Sequence, residues 1–259
     1  MELSCVAYCG KASEIDNWTC PTCKRLHDID YHHYIVNKHT DIFLAILTES
    51  TANGKTLHIA FRGTEDTINW VENFEAWQET YHEWPDTKVH RGFAKAYKSV
   101  RNEIHQEVSQ LIHKGGITNV HVTGHSLGGA MATLCAVDLR TSGVVSHSLP
   151  LGTYTFGEPR VGDSAFKNLV DRTVDYHYRV VHYADLVPHV PAEKHMVGHY
   201  HHSPREIWYN EAFTDFRTCD GSGEDPTCSN TKANWLKHPE FAVHCHTHYF
   251  GIHTSTCVC

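Results

Sequence analysis

The sequence has no long apolar run. Its longest uninterrupted apolar stretch is Ile42 to Leu47, far short of the ~20 residues needed to cross a bilayer. This excludes an integral membrane protein built on spanning helices. It also lacks a surplus of positive charge: 30 Asp and Glu outnumber 22 Lys and Arg, for a formal net charge of −8. No basic run is long enough to neutralise a phosphate backbone, so nucleic acid is excluded as a partner. Proline is scarce, at 9 in 259 residues, and there is no internal repeat, low-complexity tract or Pro/Ser-rich linker. Collagenous and disordered classes are excluded, and nothing divides residues 1–259 into separate domains.

Two residue types are over-supplied. Protonating all 24 histidines would reverse the sign of the net charge, which makes function in an acidic compartment conceivable. Ten cysteines are too many for a typical cytosolic enzyme and suit an oxidising compartment. The segment Met1-Glu2-Leu3-Ser4-Cys5 has no apolar signal core. The chain therefore reads as a mature exported form, secreted or in the lumen of the secretory/lysosomal pathway.

Strand-like runs and helical periods alternate through the middle of the chain. Asp41 to Thr48 and Thr56 to Phe61 read as strands, with Asn53-Gly54 as the hairpin turn between them. The spacing of Phe93, Tyr97, Val100, Ile104, Val108 and Leu111 predicts one amphipathic helix, ended by Gly115-Gly116. Ile117 to Thr123 reads as a strand and Gly129 to Arg140 as a small-residue helix. Strands at Leu151 to Phe156 and His177 to Tyr183 flank a helical Asp163 to Asp171. Such alternation implies an α/β fold with a mostly parallel central sheet flanked by helices, and chemistry at the carboxyl ends of the strands.

The most informative residues are Thr123-Gly124-His125-Ser126-Leu127-Gly128-Gly129. They hold a G-x-S-x-G pattern between a strand and a helix, the setting of a nucleophile elbow. Glycine is needed on both sides of Ser126 because a Cβ there would collide with the neighbouring backbone. A serine hydroxyl needs a base, and in this architecture the partners follow in the order Ser, acid, His. Asp185 stands directly after a strand and before Leu186-Val187-Pro188, whereas Asp163, Asp171 and Asp175 lie in or beside a helical stretch. Asp185 is the candidate acid. The base stays open among His244, His246 and His248, with His238 and His253 beside them.

Further motifs carry a resemblance over nearly the whole chain. They are Tyr8-Cys9, Trp18-Thr19-Cys20-Pro21-Thr22-Cys23, Phe61-Arg62-Gly63-Thr64, Ile68-Asn69-Trp70 and Val89-His90-Arg91-Gly92-Phe93. After the elbow come Gly157-Glu158-Pro159-Arg160-Val161-Gly162, Asp185-Leu186-Val187-Pro188 and His246-Thr247-His248-Tyr249-Phe250-Gly251. In these the chain resembles the fungal-type triacylglycerol lipases, the class 3 branch of the α/β-hydrolases. The resemblance selects His246, three residues before the tyrosine of Tyr-Phe-Gly, and supports Ser126 and Asp185. It implies an esterase that hydrolyses acylglycerols through an acyl-enzyme, as a monomer touching a lipid surface only peripherally. One oxyanion donor follows from the elbow, the Leu127 N–H; by resemblance the second is Thr64, where the family often has serine. Glu65 to Phe74 suits a short amphipathic helix with Ile68, Trp70, Val71 and Phe74 on its apolar face. By resemblance this is a lid that covers the site in water and opens on lipid.

Cys20-Pro21-Thr22-Cys23 lacks the second C-x-x-C of a zinc ribbon and reads as a short-loop disulfide. The resemblance further suggests pairing Cys9 with Cys257 and Cys219 with Cys228. Cys5 and Cys259 lie beyond the matching motifs and are candidates to pair with each other, Cys135 on the elbow helix reads as a buried thiol, and Cys245 is left unassigned. His199, His201 and His202, or His244, His246 and His248 alternating along a strand, are candidate metal ligands. The acid-base role of His246 outweighs them, and neither metal nor cofactor is expected. A phospholipase A1, a soluble-ester esterase and a non-catalytic lipid- or metal-binding protein are the alternatives.

Overall fold

The computed structural model describes residues 1–9, 11–64, 66–72, 75–195, 198–232 and 238–257, with the backbone alone for 67, 68 and 72. Two small helices, α1 (Glu2–Ala7) and α2 (Ala12–Asp16), precede a three-strand meander: β1 (Ile29–Asn37), β2 (Ile42–Thr51) and β3 (Gly54–Phe61). The turn at Asn53-Gly54 pairs Thr51 with Gly54 and aligns β2 antiparallel to β3, as its Asn-Gly chemistry favours. The connection from β3 carries helix α3 (Thr67–Glu72), the hairpin β4 (Gln78–Tyr81) and β5 (Trp84–His90), and helices α4 (Arg91–Lys98) and α5 (Arg101–Lys114). Then follow β6 (Ile117–His125), α6 (Leu127–Thr141), β7 (Leu151–Phe156), α7 (Ser164–Thr173) and β8 (Tyr176–His182). A small hairpin, β9 (Lys194–His195) and β10 (Gly198–His199), leads to β11 (Glu206–Tyr209), β12 (Phe216–Thr218) and α8 (Pro239–Thr247).

The main sheet has eight strands in the order β1-β2-β3-β6-β7-β8-β11-β12. Its centre, from β3 to β11, is parallel; the β1-β2-β3 edge and β12 are antiparallel. Parallel neighbours need crossovers, and the helices that supply them cover the sheet. Helix α6 is buried on all sides from Gly128 to Arg140, which its Gly, Ala and Cys content allows, because small side chains let it lie close to the strands. The core runs from β2 and β3 through α4, α5 and α6 to α7.

Three expectations are corrected. The helix expected from Phe93 to Leu111 is two, parted at Ser99: its hydroxyl hydrogen-bonds Thr40 (2.7 Å) and its carbonyl accepts from Asn37 (3.3 Å). Periodicity survives the break because both halves face one core. The strand expected to align His244, His246 and His248 is instead the end of α8 and its cap, which buries His246 and leaves the His244 and His248 rings against each other, 3.9 Å apart between centroids. Cys257 bonds Cys5, with Cα atoms 5.0 Å apart, which overturns both Cys9–Cys257 and Cys5–Cys259. Cys9 is itself disulfide-bonded, and Cys259 lies outside the described residues. Cys5 lies within α1 and Cys9 just beyond it, and it is Cys5 that packs with Cys257, a choice only the packing of the two chain ends makes. Cys20–Cys23 and Cys219–Cys228 pair as expected, and Cys135 is a buried thiol, as is Cys245.

Candidate active site

Ser126 sits in the turn between β6 and α6 at φ 59° and ψ −131°, a conformation that costs an L-residue on the order of 1–3 kcal/mol. The turn is as tight as its glycines imply. A Cβ on Gly124 would lie 2.1 Å from the Gly128 carbonyl oxygen, and one on Gly128 would lie 2.4 Å from that of Phe61. The Ser126 N–H donates to the Phe156 carbonyl (2.9 Å), which locks the elbow onto the end of β7. Leu127 opens α6, so its N–H is among the first-turn donors without an intrahelical acceptor and lies at the positive end of the helix.

Asp185 and His246 meet at the ends of β8 and α8. His246 Nδ1 lies 2.8 and 2.9 Å from the two Asp185 oxygens, and both side chains are fully buried. Asp185 also accepts from the Val187 N–H (2.9 Å) and the Tyr249 hydroxyl (2.6 Å). Burial alone would raise its pKa, but the His246 ring, Tyr249 and Val187 together hold it below the usual carboxylate range. It is therefore an anion that fixes the His246 ring with Nδ1–H towards Asp185 and Nε2 free. Gly157 makes this approach possible. A Cβ there would stand 2.5 Å from Asp185 Oδ2 and 2.8 Å from His246 Nδ1.

The nucleophile and base sides converge. Phe156, which accepts from Ser126 N–H, is followed by Gly157 at the Asp185–His246 contact. The His125 and His246 rings are 4.5 Å apart between centroids. Ser126 Oγ and His246 Nε2 are both buried without a hydrogen-bond partner among the described residues. Two such buried orphans are costly unless they serve a partner or a ligand. The strand exit at Gly63 lies against the elbow, since a Cβ on Gly63 would fall 2.9 Å from Ser126 Cβ. That brings the backbone of the following Thr64 to the same place.

Helix α3 occupies part of the expected lid. Its N-terminus is capped by Asp66, whose carboxylate accepts the Asn69 N–H (3.1 Å). Trp70 stacks on Phe93 (6.3 Å), and Trp70 and Val71 pack on Leu186, Val187 and Ala242. The helix thus lies over the loop that follows Asp185. Phe74 and the side chain of Ile68 lie outside the described residues. A cavity of about 850 Å³ lined by Trp70, Trp77, His90, Phe93 and Leu127 opens beside the elbow.

Several of the histidines weighed as metal ligands are otherwise engaged. His202 Nε2 donates to the Pro188 carbonyl (2.7 Å) and His201 Nδ1 to that of His202 (2.8 Å). Among the described residues, Glu206, Cys219 and Cys228 cluster as ligands would, but both cysteines are spent in a disulfide. Residue-level reading missed Gly157, and Tyr249 as an Asp185 partner. The motif Gly157-Glu158-Pro159 signalled the first, and the Tyr249-Phe250-Gly251 string the second.

The family model for lipase (class 3) matches residues 58–195. A lipase of Rhizomucor miehei is 34% identical over 261 residues, covering 98% of this chain and 68% of that protein. The chain belongs to the lipase class 3 family. A secreted mono- and diacylglycerol lipase of Fusarium solani is 33% identical over 194 residues, 72% of this chain and 55% of its own. The solved structure of a triacylglycerol lipase whose catalytic centre is formed by a serine protease triad superimposes with a TM-score of 0.81. That pair shares 31% identity over 99% of this chain and 94% of the other. The chain spans between about half and two thirds of the length of the two curated relatives. Its class 3 fold is the α/β-hydrolase fold.

Proposed function

We propose that this class 3 lipase hydrolyses the carboxylic esters of acylglycerols at a lipid surface, using Ser126, His246 and Asp185 in one α/β-hydrolase domain. The observation that carries the reading is the pair of buried, unpartnered atoms, Ser126 Oγ and His246 Nε2, behind an Asp185–His246 hydrogen bond of 2.8 Å. His246 Nε2 takes the Ser126 proton as the hydroxyl attacks the acyl carbonyl, then gives it to the departing alcohol. Asp185 stays ionised, holds the ring and stabilises its cation. The oxyanion is met by the Leu127 and Thr64 N–H groups, each such donor being worth ~3 kcal/mol. Water, activated by the same histidine, then releases the fatty acid. No cofactor enters these steps. Trp70 and Val71, packed over the Asp185 loop, support a lid whose apolar face exchanges protein for lipid contact. The ten cysteines, with the name of the Fusarium solani relative, support secretion.

The test is the initial rate on glycerol esters of increasing chain length across each solubility limit, with Ser126→Ala as control and organophosphate labelling of the serine. A rate that jumps when droplets form and vanishes in the control is expected. Smooth saturation on dissolved esters would make the protein a soluble-ester esterase, and an unlabelled serine would overturn catalysis altogether. Phosphatidylcholine vesicles as substrate separate a phospholipase A1 from an acylglycerol lipase.

A further inference from the structure

The last carbonyls of a helix have no intrahelical donor, and where the helix end is buried they must find donors elsewhere. Helix α8 ends one residue beyond His246, in the interior, where Cys245 and His246 are both 0% exposed. Three imidazoles from different parts of the chain meet its last carbonyls. His248 Nδ1 donates to the His244 carbonyl (2.8 Å), His182 Nδ1 to that of Cys245 (2.9 Å), and His125 Nε2 to that of His246 itself (2.8 Å). His125 directly precedes Ser126, and His182 ends β8 three residues before Asp185. The two strand ends that present the nucleophile and the acid therefore also grip the backbone of the base.

We propose that His125 and His182 are positioning residues for the reaction, each fixing His246 through a hydrogen bond to the helix end that carries it. The inference rests on the reading of His246 as the base. In His125 the working nitrogen is Nε2. The Tyr8 hydroxyl lies 2.7 Å from Nδ1 and donates to it, because a carbonyl can only accept and the ring proton is committed to the His246 oxygen. Burial first, and the neighbouring His246 second, push the His125 pKa down to about 3, so this neutral tautomer persists through the working range. In His182 the working nitrogen is Nδ1. Its Nε2 also faces a carbonyl, that of Glu211 (3.0 Å); a neutral ring donates to only one of the two, and the proposal places the proton on Nδ1, with Phe213 packed against the ring at 4.5 Å. One ring thus holds the helix from its far nitrogen and the other from its near nitrogen.

This difference supplies the test. A glutamine amide reaches about as far as a histidine Nε2, and an asparagine amide about as far as Nδ1. Each variant is assayed for kcat and KM on a dissolved short-chain glycerol ester, alongside its thermal midpoint, with His246→Ala run in parallel. His125→Gln and His182→Asn should keep kcat within ~3-fold, because the donor survives. His125→Asn and His182→Gln should lose ~10²-fold in kcat with KM unchanged, the cost of misplacing a catalytic group by about an ångström. If one of the latter fails to fold, His125→Met or His182→Met, of similar length and without a donor, must show the same loss. Equal losses for Asn and Gln at either site, or losses that track the thermal midpoint or KM, would overturn the proposal. An active His246→Ala would overturn the base assignment and this inference with it. An inactive one without the crossed pattern overturns the inference alone.

Discussion

Gly157→Ala puts a methyl group into the seam between the acid and the base. An ideal Cβ there falls 2.5 Å from Asp185 Oδ2, 2.8 Å from His246 Nδ1 and 2.9 Å from His246 Cε1. Comfortable contact begins near ~3.5 Å, so the pair must give way by roughly 1 Å, and a shift on that scale costs ~10²-fold in rate. In barrier terms that is about 2.7 kcal/mol. Gly157 also has φ +57°, where alanine adds strain of about 1 kcal/mol. Gly143→Ala separates the two effects, since Gly143 has φ +79° with nothing within 4 Å of an added Cβ. Gly143→Ala should therefore lose about 1 kcal/mol of stability in urea titrations and Gly157→Ala at least that much, because the clash adds to the strain. Only Gly157→Ala should lose kcat on a dissolved ester. A Gly157→Ala enzyme that turns over like the parent, or equal loss of kcat in both variants, would refute the steric argument.

Three further outcomes are expected. Tyr249→Phe removes the 2.6 Å hydrogen bond to Asp185, worth about 2 kcal/mol to a charged acceptor, and raises the Asp185 pKa. A carboxyl depressed by the fold lends stability that is present above its ordinary pKa and is lost as pH falls through its lower folded value. Acid unfolding and the acid limb of kcat/KM should thus both move to higher pH, and unmoved profiles would contradict the role. Ser126→Gly should abolish turnover yet raise the thermal midpoint, because it relieves positive-φ strain of ~1–3 kcal/mol and deletes a buried unpartnered hydroxyl; a lower midpoint would deny the strain. Burial lifts Glu158 from 4.5 to about 7 against the opposing hydroxyls of Thr155 and Thr133. The folded state then holds a proton that the unfolded chain releases, so stability is full below pH 4.5 and declines as pH rises to about 7. Glu158→Gln should flatten that decline in denaturant titrations, and an unchanged slope would show that Glu158 does not cause it.

The elements legible in the sequence are those whose burial matches their local pattern. β2, β3, β6, β7 and β8 are apolar central strands, and their apolar runs marked them to within three residues. Outer strands were not legible. β1 reads Ile-Asp-Tyr-His-His-Tyr-Ile-Val-Asn and is mostly half-buried; β12 is three exposed residues, held by pairing with β11 rather than by an apolar face. Helix α8 opens on Pro239, a favoured first position, and escaped because its last turn is rich in histidine, which resembled an alternating strand.

What the sequence alone determined about this protein is local. Gly124 and Gly128 around Ser126 specify an elbow because the clash they avoid lies within the turn and its abutting strand end. The position of Asp185 after an apolar strand follows from a few consecutive residues, and the family motifs from short ordered strings. The residues by themselves left open which histidine faces Asp185, 61 residues away, and the family resemblance chose His246; only the tertiary structure decided which ring caps the base across 121 residues and which cysteine meets Cys257 from 252 residues off. Neighbouring residues share backbone geometry that propensities record. Distant ones meet only once the sheet has set its strand order, and nothing in the spacing of His244, His246 and His248 encodes that order.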